Sequence, residues 1–147
     1  NKAIELNPKY TNAYYNRGSA KHYLKDYAGA ITDYNKAIEL DPQYAYAYNG
    51  RGGAKHYLKD YAGAIADYNK AIELEPEDAV YYNNRGIAKK ALTDYAGAIA
   101  DYDKAIELDP QFAVAYNNRG LAKKDLKDYA GAIADYGQSH RIGPQRC

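Results

Sequence analysis

Several residue types that build common sites and cores are rare or missing from this chain of 147 residues. Its single cysteine, Cys147, cannot form an internal disulfide framework. Met and Trp are absent and there is one Phe, so the aromatic content consists almost entirely of 19 Tyr. No apolar run approaches the roughly 18 residues that would span a bilayer, and no secretory segment is recognisable. The sequence therefore predicts no disulfide scaffold and no membrane association, with the cytoplasm as the default compartment.

The charges of the chain are nearly balanced. Lys and Arg together number 20, Asp and Glu number 19, and the formal net charge is +1. A protein that binds nucleic acid or an acidic membrane as its main partner usually carries a clear basic excess. The balance therefore gives no support for either partner.

What the chain has in abundance is self-similarity, with a period of 34 residues. Pro8, Tyr14 and Gly18 each recur three more times at this spacing. A 34-residue period is a specific signal for stacked helical hairpins in which each unit contacts only its neighbours. Fourteen positions are identical in all four copies, which indicates recent tandem duplication or a consensus-like engineered array. In the first copy they are Tyr14, Arg17, Gly18, Ala20, Lys21, Leu24, Asp26, Tyr27, Ala28, Gly29, Ala30, Ile31, Asp33 and Tyr34.

Turn signals divide each copy into two helices of about 14 residues, each roughly 21 Å long. In the first copy, Lys25 and Asp26 form a short turn, Asp26 is placed to cap the second helix, and Pro42 ends it. The predicted helices cover 11–24, 27–40, 45–58, 61–74, 79–92, 95–108, 113–126 and 129–140, with a helical stub at 1–6.

Several recurring positions suggest how the two helices of a copy pack. Gly18 and Ala30 are small, and facing small residues let two helix backbones approach closely. The tyrosines recur at fixed positions and are therefore interpreted as packing residues rather than as a stacking platform for a ligand. Arg17 could pair with Asp33 across the hairpin; the alternative is two independent solvated charges.

These residues resemble the tetratricopeptide repeat family. The family's pattern falls on Tyr14, Gly18, Lys21, Ala30, Tyr34, Ala37 and Pro42. The resemblance covers about residues 1–139, and it departs from the family at Lys21 and Arg17, where apolar residues are usual. It implies an all-α fold, a right-handed superhelical α-solenoid of four 34-residue helix-turn-helix repeats.

The expected organisation follows the period. It comprises a partial repeat at 1–10, repeats at 11–44, 45–78, 79–112 and 113–140, and a tail at 141–147 that is disordered or a remnant of engineering. The chain opens in mid-pattern at Asn1 and lacks Met, so we expect it to be a piece of a longer array.

The resemblance also implies a concave groove lined by the first helix of each repeat. Asn offers both a donor and an acceptor, which suits the backbone of an extended peptide, and Lys90 and Lys124 would favour an acidic one. The alternative is that duplication copied neutral surface residues. The candidate partner-binding residues are Asn12, Tyr15, Asn16, His22, Tyr46, Asn49, His56, Asn83, Asn84, Lys90, Asn117, Asn118 and Lys124.

More specialised chemistry finds little support in the sequence. Some family members clamp a carboxylate with cations, but Asn49, Asn83, Val80 and Val114 stand where those cations would lie. His22 and His56 are one repeat apart, about 10 Å by helix packing distances, and no third ligand converges on them. No nucleophile triad or phosphate-binding loop is present. We therefore expect no metal, no cofactor and no enzymatic activity.

Two functions remain. The leading one is a non-catalytic protein-interaction scaffold that presents its groove to a peptide or helix of a partner protein. The alternative is a self-assembling structural unit without a specific ligand. Uncapped ends would expose Tyr14 at one end and Ile133 and Tyr136 at the other, and they favour head-to-tail self-association of the chain.

Overall fold

The computed structural model describes residues 10–143, and eight α-helices follow one another within that range. No strand is present in these residues, which confirms the all-α prediction. The helices are α1 (Thr11–Tyr23), α2 (Tyr27–Leu40), α3 (Ala45–Tyr57), α4 (Tyr61–Leu74), α5 (Ala79–Ala91), α6 (Tyr95–Leu108), α7 (Ala113–Asp125) and α8 (Tyr129–Ile142).

The helix boundaries differ from the prediction by one or two residues. The first helix of each hairpin ends one residue early, and α8 extends to Ile142, so Arg141 and Ile142 are helical where a tail was predicted. The predicted stub at 1–6 and the last residues of the predicted tail lie outside the described residues. Within 10–143, none of the helices is both long and apolar enough to cross a membrane.

The helices form two compact units, the first ending at Pro76 and the second beginning at Glu77. In the first unit α1 packs on α2, α2 on α3 and α3 on α4, and α1 also touches α3. In the second unit α5 to α8 make the corresponding contacts. Each unit therefore contains two helical hairpins and one junction between them.

The turn inside each hairpin combines a predicted cap with an unpredicted backbone conformation. The Asp26 carboxylate accepts a hydrogen bond of 2.9 Å from the Gly29 N–H, which confirms the cap. Lys25 adopts φ 63°, and the Asp26 N–H bonds the Lys21 carbonyl, the pattern of a Schellman turn. Glycine usually fills this left-handed position, so the conformation was not predicted for a lysine. The positions concerned are Lys25, Lys59, Thr93 and Lys127.

The core of each unit is built from alanines and buried tyrosines, Tyr34 and Tyr68 in the first unit and Tyr81 and Tyr102 in the second. In the first unit Ala30, Tyr34 and Ala54 form a buried cluster, and Tyr15 and Ile31 are among the residues packed against it. In the second unit Ala98, Tyr102 and Ala122 form the equivalent cluster. The prediction that these tyrosines pack rather than stack on ligands therefore holds for Tyr34 and Tyr102.

The invariant glycine of the first helix faces a tyrosine of the second helix. A Cβ added at Gly86 would lie 2.6 Å from Cε1 of Tyr102, and the nearest atoms all belong to that ring. The sequence-based prediction that this glycine faces the small alanine of the second helix did not include the ring, which is the nearest neighbour of the glycine. In the first hairpin the Gly18 position is also close to the Ala30 carbonyl, at 3.3 Å.

This contact predicts the effect of Gly86→Leu. The added side chain must displace the Tyr102 ring, so we expect the free energy of unfolding to fall by about 1–3 kcal/mol, the usual cost of overpacking. Gly137→Leu is the matched control, because a Cβ at Gly137 meets nothing within 4 Å. Urea unfolding followed by circular dichroism measures both variants. Equal stability of the two variants would show that Gly86 does not face the ring.

Candidate functional site

A buried aspartate fixes the orientation of the first helix in every hairpin. The Asp33 carboxylate on α2 accepts hydrogen bonds from Arg17 Nε at 2.8 Å and Nη2 at 2.5 Å, and Lys21 Nζ lies 2.9 Å from its second oxygen. This confirms the hypothesis that Arg17 pairs with Asp33. The same cluster recurs as Arg51, Lys55 and Asp67, as Arg85, Lys89 and Asp101, and as Arg119, Lys123 and Asp135.

The electrostatics of the cluster favour the ionised carboxylate. Burial alone would raise the pKa of Asp33, but the hydrogen bonds from Arg17 and Lys21 outweigh it and hold the pKa below its ordinary value. The pKa of Asp135 is lowered by the same balance. Each arginine also lies over a tyrosine of its own helix, as Arg17 does over Tyr14 with 5.5 Å to the ring centroid.

Two of the arginines also join one hairpin to the next within a unit. Arg51 Nη1 on α3 donates to Asn35 Oδ1 on α2 at 2.7 Å. In the second unit Arg119 Nη1 on α7 donates to Asp103 Oδ1 on α6 at 2.6 Å. The arginine side of each first helix is therefore occupied by contacts with the second helices. The candidate binding residues lie on the other faces of the first helices.

The candidates of the first unit lie on α1 and α3 and are largely aromatic. Tyr15 contacts Tyr34, Tyr44 and Tyr46, with ring centroids 5.9, 5.3 and 6.4 Å away. Tyr46 is exposed, while Tyr15 is half-buried. Of the asparagine candidates, Asn12 and Asn16 are exposed and Asn49 is half-buried.

The two histidines lie in aromatic surroundings. His22 makes edge contacts with Tyr27 and Tyr57, at 5.2 and 5.3 Å between ring centroids. His56 contacts Tyr57 and Tyr61, and burial lowers the pKa of both histidines. Across residues 10–143, no group of three His, Cys, Asp or Glu side chains is arranged to hold a metal ion.

An asparagine pair lies inside the second unit. Asn83 is 4% exposed, and its Oδ1 accepts a 2.9 Å hydrogen bond from Asn118 Nδ2. The Nδ2 group of Asn83 donates a longer hydrogen bond, of 3.5 Å, to Asn84 Oδ1. Asn83 therefore ties α5 to α7, whereas Asn117 is exposed and Asn84 and Asn118 are half-buried.

The basic edge expected at Lys90 and Lys124 is partly neutralised. Lys90 Nζ forms an ion pair with Asp125 Oδ2 at 2.9 Å, while Lys124 is exposed. Lys90 and Asp125 are 35 positions apart, the separation that also joins His22 to Tyr57 in the first unit. Sequence reasoning missed the partners Asp125 and Tyr57, although this recurring separation could have revealed them.

Exposed apolar residues lie on α5 and α7 together with the asparagine and lysine candidates. The exposed residues of α5 and α7 include Val80, Val114, Asn117, Leu121 and Lys124. We call this set, together with the half-buried Asn84 and Asn118, the α5–α7 face. It combines aliphatic surface, amide groups and one exposed cation.

A cleft of about 540 Å³ lies between α7 and α8. Its lining residues are Ala113, Val114, Asn117, Tyr136, Ser139, His140 and Gly143. Next to it on α8, Ile133 is 71% exposed, whereas its counterparts Ile31 and Ile99 pack against the buried clusters of their units. The end of α8 therefore leaves apolar surface uncovered among the described residues.

Family models match most of the chain. A model described as tetratricopeptide repeat matches residues 11–44, a second of the same description matches 113–142, and a TPR repeat model matches 52–93 and 91–126. No curated protein sequence shows a significant match.

Solved structures with the same fold are numerous, and two kinds illustrate them. A crystal structure of MamA is 24% identical with a TM-score of 0.86, covering 96% of this chain and 82% of its own. MamA from Desulfovibrio magneticus RS-1 is 22% identical with a TM-score of 0.85, covering 95% and 78%. The first TPR of Spaghetti (RPAP3), bound to the HSP90 peptide SRMEEVD, is 28% identical with a TM-score of 0.77, covering 80% and 93%.

The buried aspartates predict an acid-sensitive contribution to stability. Because the folded pKa of Asp33 is lowered, the contribution is complete above the unfolded pKa of about 3.9 and is lost as the pH falls through the folded pKa. We expect Asp33→Asn to lower the free energy of unfolding by about 1–3 kcal/mol at pH 7, since it removes the negative charge and one of the two acceptor oxygens that Arg17 and Lys21 use.

Urea titrations from pH 7 to pH 3 measure this difference. The gap between the wild type and Asp33→Asn should narrow as Asp33 becomes protonated. Glu39→Gln is the control, because Glu39 pairs with Lys36 on the surface, where solvent screens such pairs and they add little to stability. A gap that stays constant over this range would contradict an ionised, hydrogen-bonded Asp33.

Proposed function

Because the chain belongs to the tetratricopeptide repeat family, whose members are typically protein-interaction scaffolds, we propose that it is a non-catalytic scaffold that binds a peptide of a partner protein on its first-helix faces. The observation that carries the proposal is the α5–α7 face. There Val80 and Val114 are exposed beside amide groups, on helices that the buried aspartates hold in place.

The chemistry of this face suits an extended peptide. An extended backbone offers alternating donors and acceptors, which the amides of Asn84 and Asn117 can match, while the valines supply apolar contact for alternate side chains. Hydrogen bonds of this kind fix orientation, and the apolar contacts add affinity. Asn83 has a supporting role here, because it holds Asn118 rather than facing outward.

The exposed cation favours a peptide with acidic residues. Lys124 is exposed, whereas Lys90 is paired with Asp125. The RPAP3 domain, 28% identical to this chain, was solved with a peptide that contains two Glu and one Asp. The proposal takes an acidic segment as ligand without requiring a carboxylate clamp, since asparagine and valine occupy the positions where its cations would lie.

A second function, head-to-tail self-association, is favoured by the exposure of Ile133. The equivalent Ile99 packs against the cluster that contains Ala122 of α7. Because α1 repeats much of the sequence of α7, α1 of a second copy is the proposed occupant of the surface around Ile133. A head-to-tail contact uses different surfaces on the two copies, so it extends into chains unless its rotation closes a ring.

Binding is tested with a peptide selected from a random display library against the intact chain. We expect Asn117→Ala combined with Lys124→Ala to weaken its affinity by about tenfold or more, the equivalent of about 1.4 kcal/mol. The difference in affinity between the wild type and the double variant should become smaller at high salt, because Lys124 is exposed and salt screens its charge. Fluorescence anisotropy measures the affinity.

The matched control for this experiment is Lys104→Ala on α6, which removes a half-buried surface lysine, paired with Glu107, outside the first helices. Its affinity should equal that of the wild type. If the double variant binds as tightly as Lys104→Ala does, the peptide lies elsewhere on the protein and the α5–α7 face is not its site.

Self-association is tested by sedimentation velocity over a range of protein concentrations. We expect the sedimentation coefficient of the wild type to rise with concentration and that of Ile133→Glu to stay constant, because burying the new charge opposes docking. Ala134→Glu adds the same charge at a position that is exposed in every hairpin, and it should behave as the wild type does. A wild type that remains monomeric at the highest concentration contradicts this function.

A further inference from the structure

Two tyrosine rings stack face to face at the junction of the first unit. Tyr27 begins α2 and Tyr57 ends α3, and their ring planes differ by 2° with 4.9 Å between centroids. Tyr57 is 60% exposed and Tyr27 is half-buried, so solvent reaches the pair. Tyr27 also packs against the buried cluster around Tyr34, whereas the proposed peptide site does not include either ring.

The pair is specific to one junction of the chain. The position of Tyr27 holds a tyrosine in all four copies, but the position of Tyr57 holds Asp125 in the second unit. Tyr95, the equivalent of Tyr27 there, therefore has no tyrosine at the corresponding position of α7. The chain also lacks Met and Trp, so its tyrosines are the main side chains open to one-electron oxidation.

We propose that Tyr27 and Tyr57 form an oxidative cross-linking site, at which a one-electron oxidant joins the two rings as dityrosine. Each phenol gives up one electron to the oxidant and one proton to solvent. The two radicals then form a carbon–carbon bond between ring carbons adjacent to the hydroxyl-bearing carbons. The two hydrogens on the joined carbons move to the oxygens as the rings regain aromaticity. In total, two electrons and two protons leave, and two equivalents of oxidant are reduced.

The parallel arrangement of the rings is what selects this pair. The unpaired electron of a tyrosyl radical occupies π orbitals that point away from the ring plane. In a face-to-face pair, these orbitals on the two rings point at each other. Tyr15 and Tyr44 meet edge to face, at an interplanar angle of 73°, so their π orbitals are nearly perpendicular and overlap poorly.

The bond would join two hairpins covalently. Tyr27 belongs to the hairpin of α1 and α2, and Tyr57 to the hairpin of α3 and α4. A cross-link between residues 30 positions apart closes a loop in the unfolded chain and so opposes unfolding of that junction, as a disulfide does. An oxidant would thereby fix the first unit without the cysteine chemistry that the described part of the chain lacks.

The test is photo-oxidation of the dilute protein with a ruthenium tris-bipyridyl complex and persulfate. We expect monomeric product with dityrosine fluorescence and a mass lower by two hydrogen atoms. After trypsin, residues 26–36 should be linked to the tetrapeptide 56–59. That tetrapeptide has the same sequence as residues 22–25, so variants must assign the link.

Tyrosine-to-phenylalanine variants make the assignment, since each removes one hydroxyl and keeps the ring. The link should be lost in Tyr27→Phe and in Tyr57→Phe, and it should persist in Tyr23→Phe and Tyr95→Phe. Circular dichroism before illumination confirms that each variant is folded. A link that survives Tyr57→Phe, or a wild-type product that lacks the 26–36 peptide, overturns the proposal.

Discussion

The structure depends on a carboxylate that is buried in every hairpin and held by two cations of the neighbouring helix. The four aspartates are only 2–4% exposed, and such groups are costly to bury unless they are paired and hydrogen-bonded. Arg17 and Lys21 supply that pairing from successive turns of α1, which fixes both the rotation and the height of α1 against α2. The alanines and the small glycine beside Tyr34 then pack closely, because the polar contact has already set the distance between the helices.

One side of each first helix makes this contact with the aspartate. On the opposite side, the residue types differ between the repeats. The first unit fills it with rings, as at Tyr15 and His22, whereas the second carries valines, amides and an ion pair. A shared scaffold thus presents two different chemical surfaces, which is how repeat proteins acquire distinct partners without changing their fold. The comparisons establish the family and the fold, and the residues of these surfaces support the peptide proposal.

The helices were predictable from sequence because the turn signals recur at every period. The pairing of Arg17 with Asp33 was also accessible, since both residues are invariant and 16 positions apart. The inward position of Asn83 was not, because Asn49 and Asn117 share its repeat position and the sequence does not show which way each side chain turns. Lys25 in the left-handed region was missed for a simpler reason: propensity assigns that position to glycine.

The variable junctions also bear on how a chain of near-identical repeats folds into the correct order. Every second helix can accept any first helix as far as the aspartate contact is concerned, so an out-of-register chain could skip a hairpin and still form most of its contacts. The residues 35 positions apart distinguish the copies: His22 meets an aromatic ring in Tyr57, whereas Lys90 meets a carboxylate in Asp125. Skipping the second hairpin would place His22 against Ala91, and skipping the third would place His56 against Asp125. Each error forfeits one of the two contacts that the correct order provides. These few side chains therefore distinguish otherwise similar hairpins and favour the packing of each hairpin against its own neighbour.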